Sequence, residues 1–310
     1  MKAMIFAAGL GTRLKPITDT MPKALVPVCG QPLLYHVITK LVAAGYDDLV
    51  VNVHHFPDQI IHYLHSHDFG ARISVSDERD FLRETGGGVR YARHLLTDFS
   101  TSPSASLEMT KEDSFASLEM TKRDSFASLE MTKGDSFASL RMTETDGLSF
   151  RPSEASGEIC HTEPFLVHNV DIVSNLDLGW LREQHREGAL ATVVVSERKT
   201  QRYLLFDEEG RLRGWTNVAT GEVRSPFPDI DPDRCRKLAF AGIHLMSPAI
   251  FDAFEKLGMG ERFSIIDFYL KACADYPIFA AVPSDFTLVD VGKFATLHEA
   301  EATCAAILNA

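Results

Sequence analysis

Short apolar runs alternate with segments of helical spacing on both sides of a tandem repeat. This alternation limits the chain to a sheet wrapped by helices. Lys2 to Ala8 reads as a buried strand bounded by glycine, and from Pro32 to Ala44 the positions Leu33, Leu34, Val37, Ile38, Leu41 and Val42 recur at helical spacing, with Gly45 just past the end. "DLVVNV" and "ARISVSDE" are further strand candidates, separated by a helix that Asp58 can cap. After the repeat come the strand "PFLVHNVDI", a helix over 176–186, the strand "ALATVVVSE", a hairpin around Glu208, Glu209 and Gly210, and "LAFAGIHLM". Helices from Pro248 and over 265–274, the strands "IFAAV" and "FTLVDV", and a closing helix over 294–308 complete the pattern. The expected fold class is α/β, a Rossmann-like open mixed, mainly parallel sheet with helices on both faces. Open sheets of this kind take ligands beyond the carboxyl ends of their strands.

The repeat interrupts that scheme. "SLEMTKEDSFA", "SLEMTKRDSFA" and "SLEMTKGDSFA" follow one another with a period of 11 residues, and a partial "SLRMT" trails them. Such a period can build a helical array, but on a helix the methionine would point almost opposite the leucine and phenylalanine, leaving a poor apolar stripe. Serine, threonine and aspartate in every unit favour turns and caps. Two readings stand: a disordered insertion without chemistry, or short helices packed weakly on the surface. The expected organisation is one domain formed by residues 1–97 and 164–310, with 98–163 inserted.

With 310 residues, 45% of them hydrophobic, the chain can bury a sizeable core. Its formal net charge of -12 argues against non-specific binding of nucleic acid, which needs clustered lysine and arginine. The five cysteines are odd in number and scattered, with no C-x-x-C pair, so a reducing, cytoplasmic setting is expected. No stretch has the pattern of a signal peptide or the apolar length of a membrane span. No membrane partner is expected, and the chain is read as a monomer or homodimer.

The chemistry concentrates near the start. "GLGTRL" opens like a dinucleotide fingerprint, yet Leu14 stands where G-x-G-x-x-G wants its third glycine, and no lysine followed by serine or threonine makes a Walker A loop. What remains is a loop in which Gly9 and Gly11 let backbone N–H groups approach an anion. Thr12 adds a hydroxyl, Arg13 a planar fork for phosphate oxygens and Lys23 a second positive charge. A plain glycine turn with solvated charges is the alternative for the glycine pair alone.

"AAGLGTRLKPITDTMPKALVPV" resembles the signature of the sugar-1-phosphate nucleotidyltransferases, and "ETGGG", "HNVD", "FAGIHLMSP", "FSIID" and "DVG" extend the resemblance through the chain outside the repeat. The short "ETGGG" form is most similar to the N-acetylmuramate 1-phosphate uridylyltransferase and mannose-1-phosphate guanylyltransferase branch. The resemblance implies a Mg2+-dependent enzyme joining a nucleoside triphosphate and a sugar 1-phosphate into a nucleotide sugar and pyrophosphate. UTP with N-acetylmuramate 1-phosphate or a similar sugar is the first expectation. GTP with mannose 1-phosphate, or a nucleotide-sugar-binding protein without catalysis, are the alternatives.

By the same resemblance, Ala8, Gly9, Gly11, Thr12, Glu84, Gly86 and Gly87 bind nucleotide, while Arg13, Lys23 and Asp171 are catalytic. Lys199, Arg202, Asn217 and Gly242 are the sugar-phosphate candidates, although charged residues in a turn such as "SERKTQRY" are also ordinary solvated ones. Asp171 and Asp290 each follow an apolar run that would deliver a carboxylate to the ligand edge; an aspartate after a strand can equally cap a turn. The resemblance makes these two the metal ligands, with Val170 departing from the family's glycine before the first. Thr85 is expected to cap the helix that "ETGGG" begins. His54, His55, His62, His65 and His67 have no cysteine nearby and read as surface or supporting residues in preference to a zinc site.

Overall fold

Apolar runs rich in valine, isoleucine and leucine become strands buried on both faces, and amphipathic segments cover them. In the computed structural model, which describes residues 1–97, 163–292 and 297–308, β1 (Lys2–Phe6) leads through short 3-10 turns (Thr12–Leu14, Ile17–Asp19 and Lys23–Leu25) to a small hairpin of β2 (Pro27–Val28) and β3 (Gln31–Pro32). There follow α1 (Leu33–Ala43), β4 (Asp48–Val53), α2 (Pro57–His65), β5 (Arg72–Asp77), α3 (Glu84–Tyr91) and α4 (Arg93–Leu96). Beyond the repeat lie β6 (Phe165–Asn169), β7 (Ile172–Ser174), α5 (Leu178–Glu183), β8 (Ala191–Ser196), β9 (Arg202–Phe206), β10 (Leu212–Asn217), β11 (Glu222–Arg224) and β12 (Arg236–Met246). The last elements are α6 (Ile250–Lys256), α7 (Ile265–Ala272), β13 (Ile278–Ala281), β14 (Leu288–Asp290) and α8 (Leu297–Leu308). The expected insertion over 98–163 lies, up to residue 162, outside the described residues.

The main sheet is mixed. Its path runs β11-β10-β9-β12-β6-β1-β4-β5, and β8 joins β12 to β13. β6, β1, β4 and β5 are mutually parallel, with Met4 level with both Val50 and Val167, so segments before and after the repeat share one sheet. β12 runs antiparallel to β6, β8 and β9, and β9, β10 and β11 form a meander. Strand alternation sends Ala3 and Ile5 into one core with Leu34, Leu41 and Ile60 from α1 and α2, and Met4 into the opposite core with Val89, Phe254 and Phe268 from α3, α6 and α7. Helices therefore cover both faces.

Three local differences from the expected elements have physical causes. β1 stops at Phe6 because the amides of Ala7 and Ala8 turn to the Asn52 side chain. The expected strand through Asp171 divides: β6 stays in the main sheet, whereas β7 leaves it to pair with β14, and Asp171 occupies the corner between. Asp58 lies in the first turn of α2 but does not cap it; Pro57 starts that helix, preceded by Phe56 at φ 50°.

Candidate active site

The opening loop is fixed from beneath. Gly11 has φ +65°, and a Cβ there would lie 2.7 Å from Thr18 Cγ2 and 3.2 Å from Lys23 Cβ, so glycine is required both by conformation and by space. The Thr18 hydroxyl donates to the Gly11 carbonyl at 2.8 Å, and Leu14 N–H closes the 3-10 turn onto the same oxygen at 2.8 Å. Leu14 is fully buried in the core. The residue that spoils the dinucleotide fingerprint is thus an anchor, and the loop continues as a 3-10 turn with Arg13 exposed at its surface.

Lys23 begins the third 3-10 turn, is nearly buried, and makes an ion pair with Asp171. Asp171 reaches it from the corner between β6 and β7. Asp290 is the last residue of β14, and because Asp290 pairs with Ile172 across the two-stranded sheet, both carboxylates arrive at the same end. The Val291 amide donates to the Asp171 carbonyl at 2.9 Å, and the Gly292 amide to Asp290 Oδ1 at 2.8 Å. The convergence is closest at Gly292. A Cβ on that residue would stand 2.5 Å from Asp290 Oδ1, 3.0 Å from an Arg13 guanidinium nitrogen and 3.3 Å from Asp171 Oδ2.

Two cavities open on this point. The first, about 410 Å³, is bordered by Ala8, Gly9, Lys23, Glu84, Asn169 and Asp171. The second, about 840 Å³, is bordered by Arg13, Lys199, Arg202, Trp215, Arg224 and Asp290. Ser264 lines both, so the two lie side by side with Asp171 in one wall and Asp290 in the other. Arg198 donates to the Phe240 carbonyl at 2.9 Å, and Arg224 pairs with Asp267 at 2.7 Å, which leaves Lys199 and Arg202 as exposed cations at the second mouth.

Several expected site residues hold other posts. Gly86 and Gly87 do not border the cavity: both amides donate to the Phe263 carbonyl, and a Cβ would meet Phe263 Cε2 at 2.2 Å in one case and the Glu261 carbonyl at 2.2 Å in the other. Their missing side chains admit the 261–263 segment, a packing requirement that the sequence does not display. Thr85 caps a different helix from the one expected, its hydroxyl accepting the Ile265 amide of α7 at 2.9 Å. Glu84 stays at the cavity edge, in a left-handed conformation at φ 61° and paired with Arg262 at 3.0 Å. Asn217 borders neither cavity, since its side chain accepts the Ala219 amide and closes the turn after β10. Gly242, at φ +76° in a bulge of β12, supports Asn169 from behind; a Cβ there would lie 2.7 Å from Asn169 Nδ2.

The histidines are engaged locally: His54 Nδ1 lies 2.7 Å from the Glu78 carbonyl, and His67 Nδ1 2.9 Å from the Tyr63 carbonyl. Among the described residues no three of histidine, cysteine, aspartate and glutamate gather as a metal-holding group. The hard oxygens of Asp171 and Asp290 nevertheless suit magnesium, which takes one or two carboxylates and fills its remaining positions with phosphate oxygens and water. Sequence reading passed over Asn52, Glu78, Asn169 and Ser264. The available signal was an asparagine inside the apolar run "DLVVNV", a polar group that burial obliges to find partners.

The glycine loop, the two aspartates and the two adjoining cavities lie together where open α/β sheets take ligands. Residues 2–117 match the family model described as nucleotidyl transferase. It is 47% identical over 97 residues to the N-acetylmuramate alpha-1-phosphate uridylyltransferase of Caulobacter vibrioides, a match covering 30% of this chain and 40% of that protein. It is 39% identical over 102 residues to the mannose-1-phosphate guanylyltransferase catalytic subunit beta of Xenopus tropicalis, covering 32% of this chain and 28% of that one. The chain thus spans less than half the length of these curated relatives. The fold is shared with a UDP-glucose pyrophosphorylase solved with UDP-glucose (TM-score 0.62, 15% identity, 98% of each chain). It is shared too with the inositol-1-phosphate CTP transferase from T. maritima (TM-score 0.62, 13% identity, 99% of this chain and 95% of that one). Among the described residues no helix is long and apolar enough to cross a membrane.

Proposed function

We propose that this chain is a sugar-1-phosphate nucleotidyltransferase that takes UTP and N-acetylmuramate 1-phosphate or a similar sugar phosphate. The nucleoside triphosphate would occupy the smaller cavity and the sugar phosphate the larger. The observation that carries this reading is the meeting of Arg13, Asp171 and Asp290 around Gly292, where the two cavities adjoin.

In the proposed reaction an oxygen of the sugar phosphate attacks the α-phosphorus in line. The new O–P bond forms as the bond to the pyrophosphate oxygen breaks, and pyrophosphate leaves with the electron pair. The nucleophile is already an anion near neutral pH, so no side chain has to remove a proton. What the chain supplies is position and charge. The Ala8–Gly9 backbone would border the path of the phosphates, Arg13 would offer its fork to their oxygens, and Lys23, held by Asp171, would place a cation at the inner wall. Lys199 and Arg202 would hold the sugar phosphate from the outer mouth. Asp171 and Asp290 would hold Mg2+, which when bound neutralises phosphate charge as a Lewis acid.

The higher identity to the uridylyltransferase, 47% against 39%, favours UTP. Mannose-1-phosphate guanylyl transfer is the second reading, favoured by the guanylyltransferase match. The deciding experiment incubates purified protein with Mg2+, each common nucleoside triphosphate and a panel of sugar 1-phosphates, then identifies products by mass. A UDP-sugar supports the first reading and GDP-mannose the second. Pyrophosphate release with no pair, alongside retained nucleotide-sugar binding, would leave a binding protein without catalysis.

A further inference from the structure

Glu78 is a carboxylate with no exposure to solvent at the end of β5, and it belongs to no ion pair within salt-bridge distance among the described residues. Burying a charged group without compensation is costly, so its hydrogen bonds identify what it is there to hold. Oε1 accepts from Asn52 Nδ2 at 2.8 Å, and Asn52 Oδ1 in turn accepts the amides of Ala7 at 2.8 Å and Ala8 at 3.3 Å. Oε2 accepts the Arg83 amide at 3.3 Å, immediately before α3 and Glu84. Gly88, one turn into α3, packs directly on the pair: its Cβ would lie 3.0 Å from Glu78 Oε1 and 3.1 Å from Asn52 Nδ2. The lining of the smaller cavity includes Ala7, Ala8 and Gly9, Asn52 itself, and Leu82, Glu84 and Thr85.

We propose that Glu78 is a positioning residue: its two carboxylate oxygens, one acting through Asn52, brace the Ala7–Ala8 backbone against the Arg83–Glu84 backbone and so set the width of the nucleotide cavity. The identity of the cavity's ligand rests on the nucleotidyltransferase reading; the brace itself does not. Each donor in the chain faces an acceptor, and the polarity runs in one direction from the Ala7 and Ala8 amides through Asn52 to Glu78. Burial raises the Glu78 pKa, while the Asn52 and Arg83 N–H groups pull it back toward the ionised form that accepts at both oxygens. An apolar residue at 78 would fill the space yet leave the Asn52 amide and the Arg83 N–H without acceptors.

The directionality supplies a test that ordinary packing would not pass. In Glu78→Gln the new amide group must face either Asn52 Nδ2 or the Arg83 N–H, donor against donor. In Asn52→Asp two buried carboxylates confront each other. In the double variant Asn52→Asp/Glu78→Gln every bond can reform: the residue at 52 accepts the Ala7 and Ala8 amides, the amide at 78 donates to its free oxygen, and the carbonyl at 78 accepts from Arg83. The expected result is that each single change raises KM for the nucleoside triphosphate roughly tenfold or more, affects kcat less, and speeds hydrogen exchange at the Ala7 and Ala8 amides, while the double change restores both to within about threefold of the parent. Gly88→Ala, which presses a methyl on the brace without removing a polar group, is expected to raise the same KM and exchange rates and serves if a single variant fails to fold.

Additive or worse damage in the double variant overturns the proposal, as do unchanged KM and exchange in the singles or in Gly88→Ala. Amide exchange needs no turnover. A parent protein inactive with every substrate pair, yet showing the loss and rescue of exchange protection, would refute the enzymatic reading and leave the brace standing.

Discussion

The two cavities are built by different means. The smaller is bordered by segments tied down through hydrogen bonds: Ala7 and Ala8 donate to Asn52, itself part of the lining, and Thr85 accepts the Ile265 amide at the start of α7, while Gly86 and Gly87, outside the lining, tie α3 to the Phe263 carbonyl. The larger is rimmed by long exposed side chains, among them Lys199 in the loop between β8 and β9 and Arg202 at the start of β9. Buried hydrogen bonds fix geometry before a ligand arrives, whereas exposed lysine and arginine lose rotamer freedom when they bind. Under the proposed function, the rigid pocket would take the nucleotide and the adaptable mouth the sugar phosphate, with Gly292 near their junction.

Arg13→Ala should produce the largest effect, because this guanidinium borders the junction and, in the proposed reaction, would face charge developing on phosphate. A fall in kcat of about 10²–10³ is expected from the loss of one such donor, read by pyrophosphate release at unchanged thermal stability. Gly292→Ala should follow. Its methyl would overlap Asp290 Oδ1 and crowd Arg13 and Asp171, and displacement of reacting groups by about 1 Å can cost on the order of 10² in rate. If that variant retains parental turnover, the junction is not where the chemistry occurs.

Arg202→Ala tests the contrast between the walls. An exposed charge-assisted contact contributes about 1.5 kcal/mol, so KM for the sugar phosphate should rise about tenfold while KM for the nucleotide stays constant. Equal changes in both would erase the distinction between a rigid and an adaptable side.

The smallest effect concerns stability. His168 and His244 are buried, and burial pushes their pKa values down to about 4 and about 3. The unfolded chain binds protons at these histidines below about pH 6.5 while the folded chain stays neutral, so folding stability declines as pH falls from there toward 4. The slope is about 1.4 kcal/mol per pH unit for each histidine. Denaturant midpoints at pH 7.5 and 5.5 should show the decline, and His168→Asn should reduce its slope; equal midpoints at the two pH values would contradict the burial argument.

The fold was legible because strand and helix periodicity is a local property of "DLVVNV" or the stretch from Leu33 to Val42. The pairing of Asp171 with Asp290 was legible only as two strand ends; that β7 and β14 leave the main sheet to meet each other depends on residues more than a hundred positions apart. At Gly86 and Gly87 local glycine chemistry does not display the packing against Phe263 and the Glu261 carbonyl, since a glycine required by a neighbouring segment looks the same in sequence as one required by a ligand. The bond of the Asn217 side chain within its own turn is equally invisible in the sequence. Glu78 and Asn52 escaped notice because single polar residues in or beside a strand carry no spacing pattern; their meaning appears only when burial leaves each the other's partner.

Asp171 is a poor residue for testing the junction, because removing its carboxylate leaves Lys23 buried and unpaired, at a cost of about 3–5 kcal/mol. Asp290→Asn is cleaner: its oxygen can still accept the Gly292 amide while the charge is lost. The most direct measurement is pyrophosphate release from UTP and N-acetylmuramate 1-phosphate in Mg2+, comparing parent and Asp290→Asn at matched thermal stability. The account predicts steady release by the parent and a fall of about 10² or more in the variant; indistinguishable rates would contradict it.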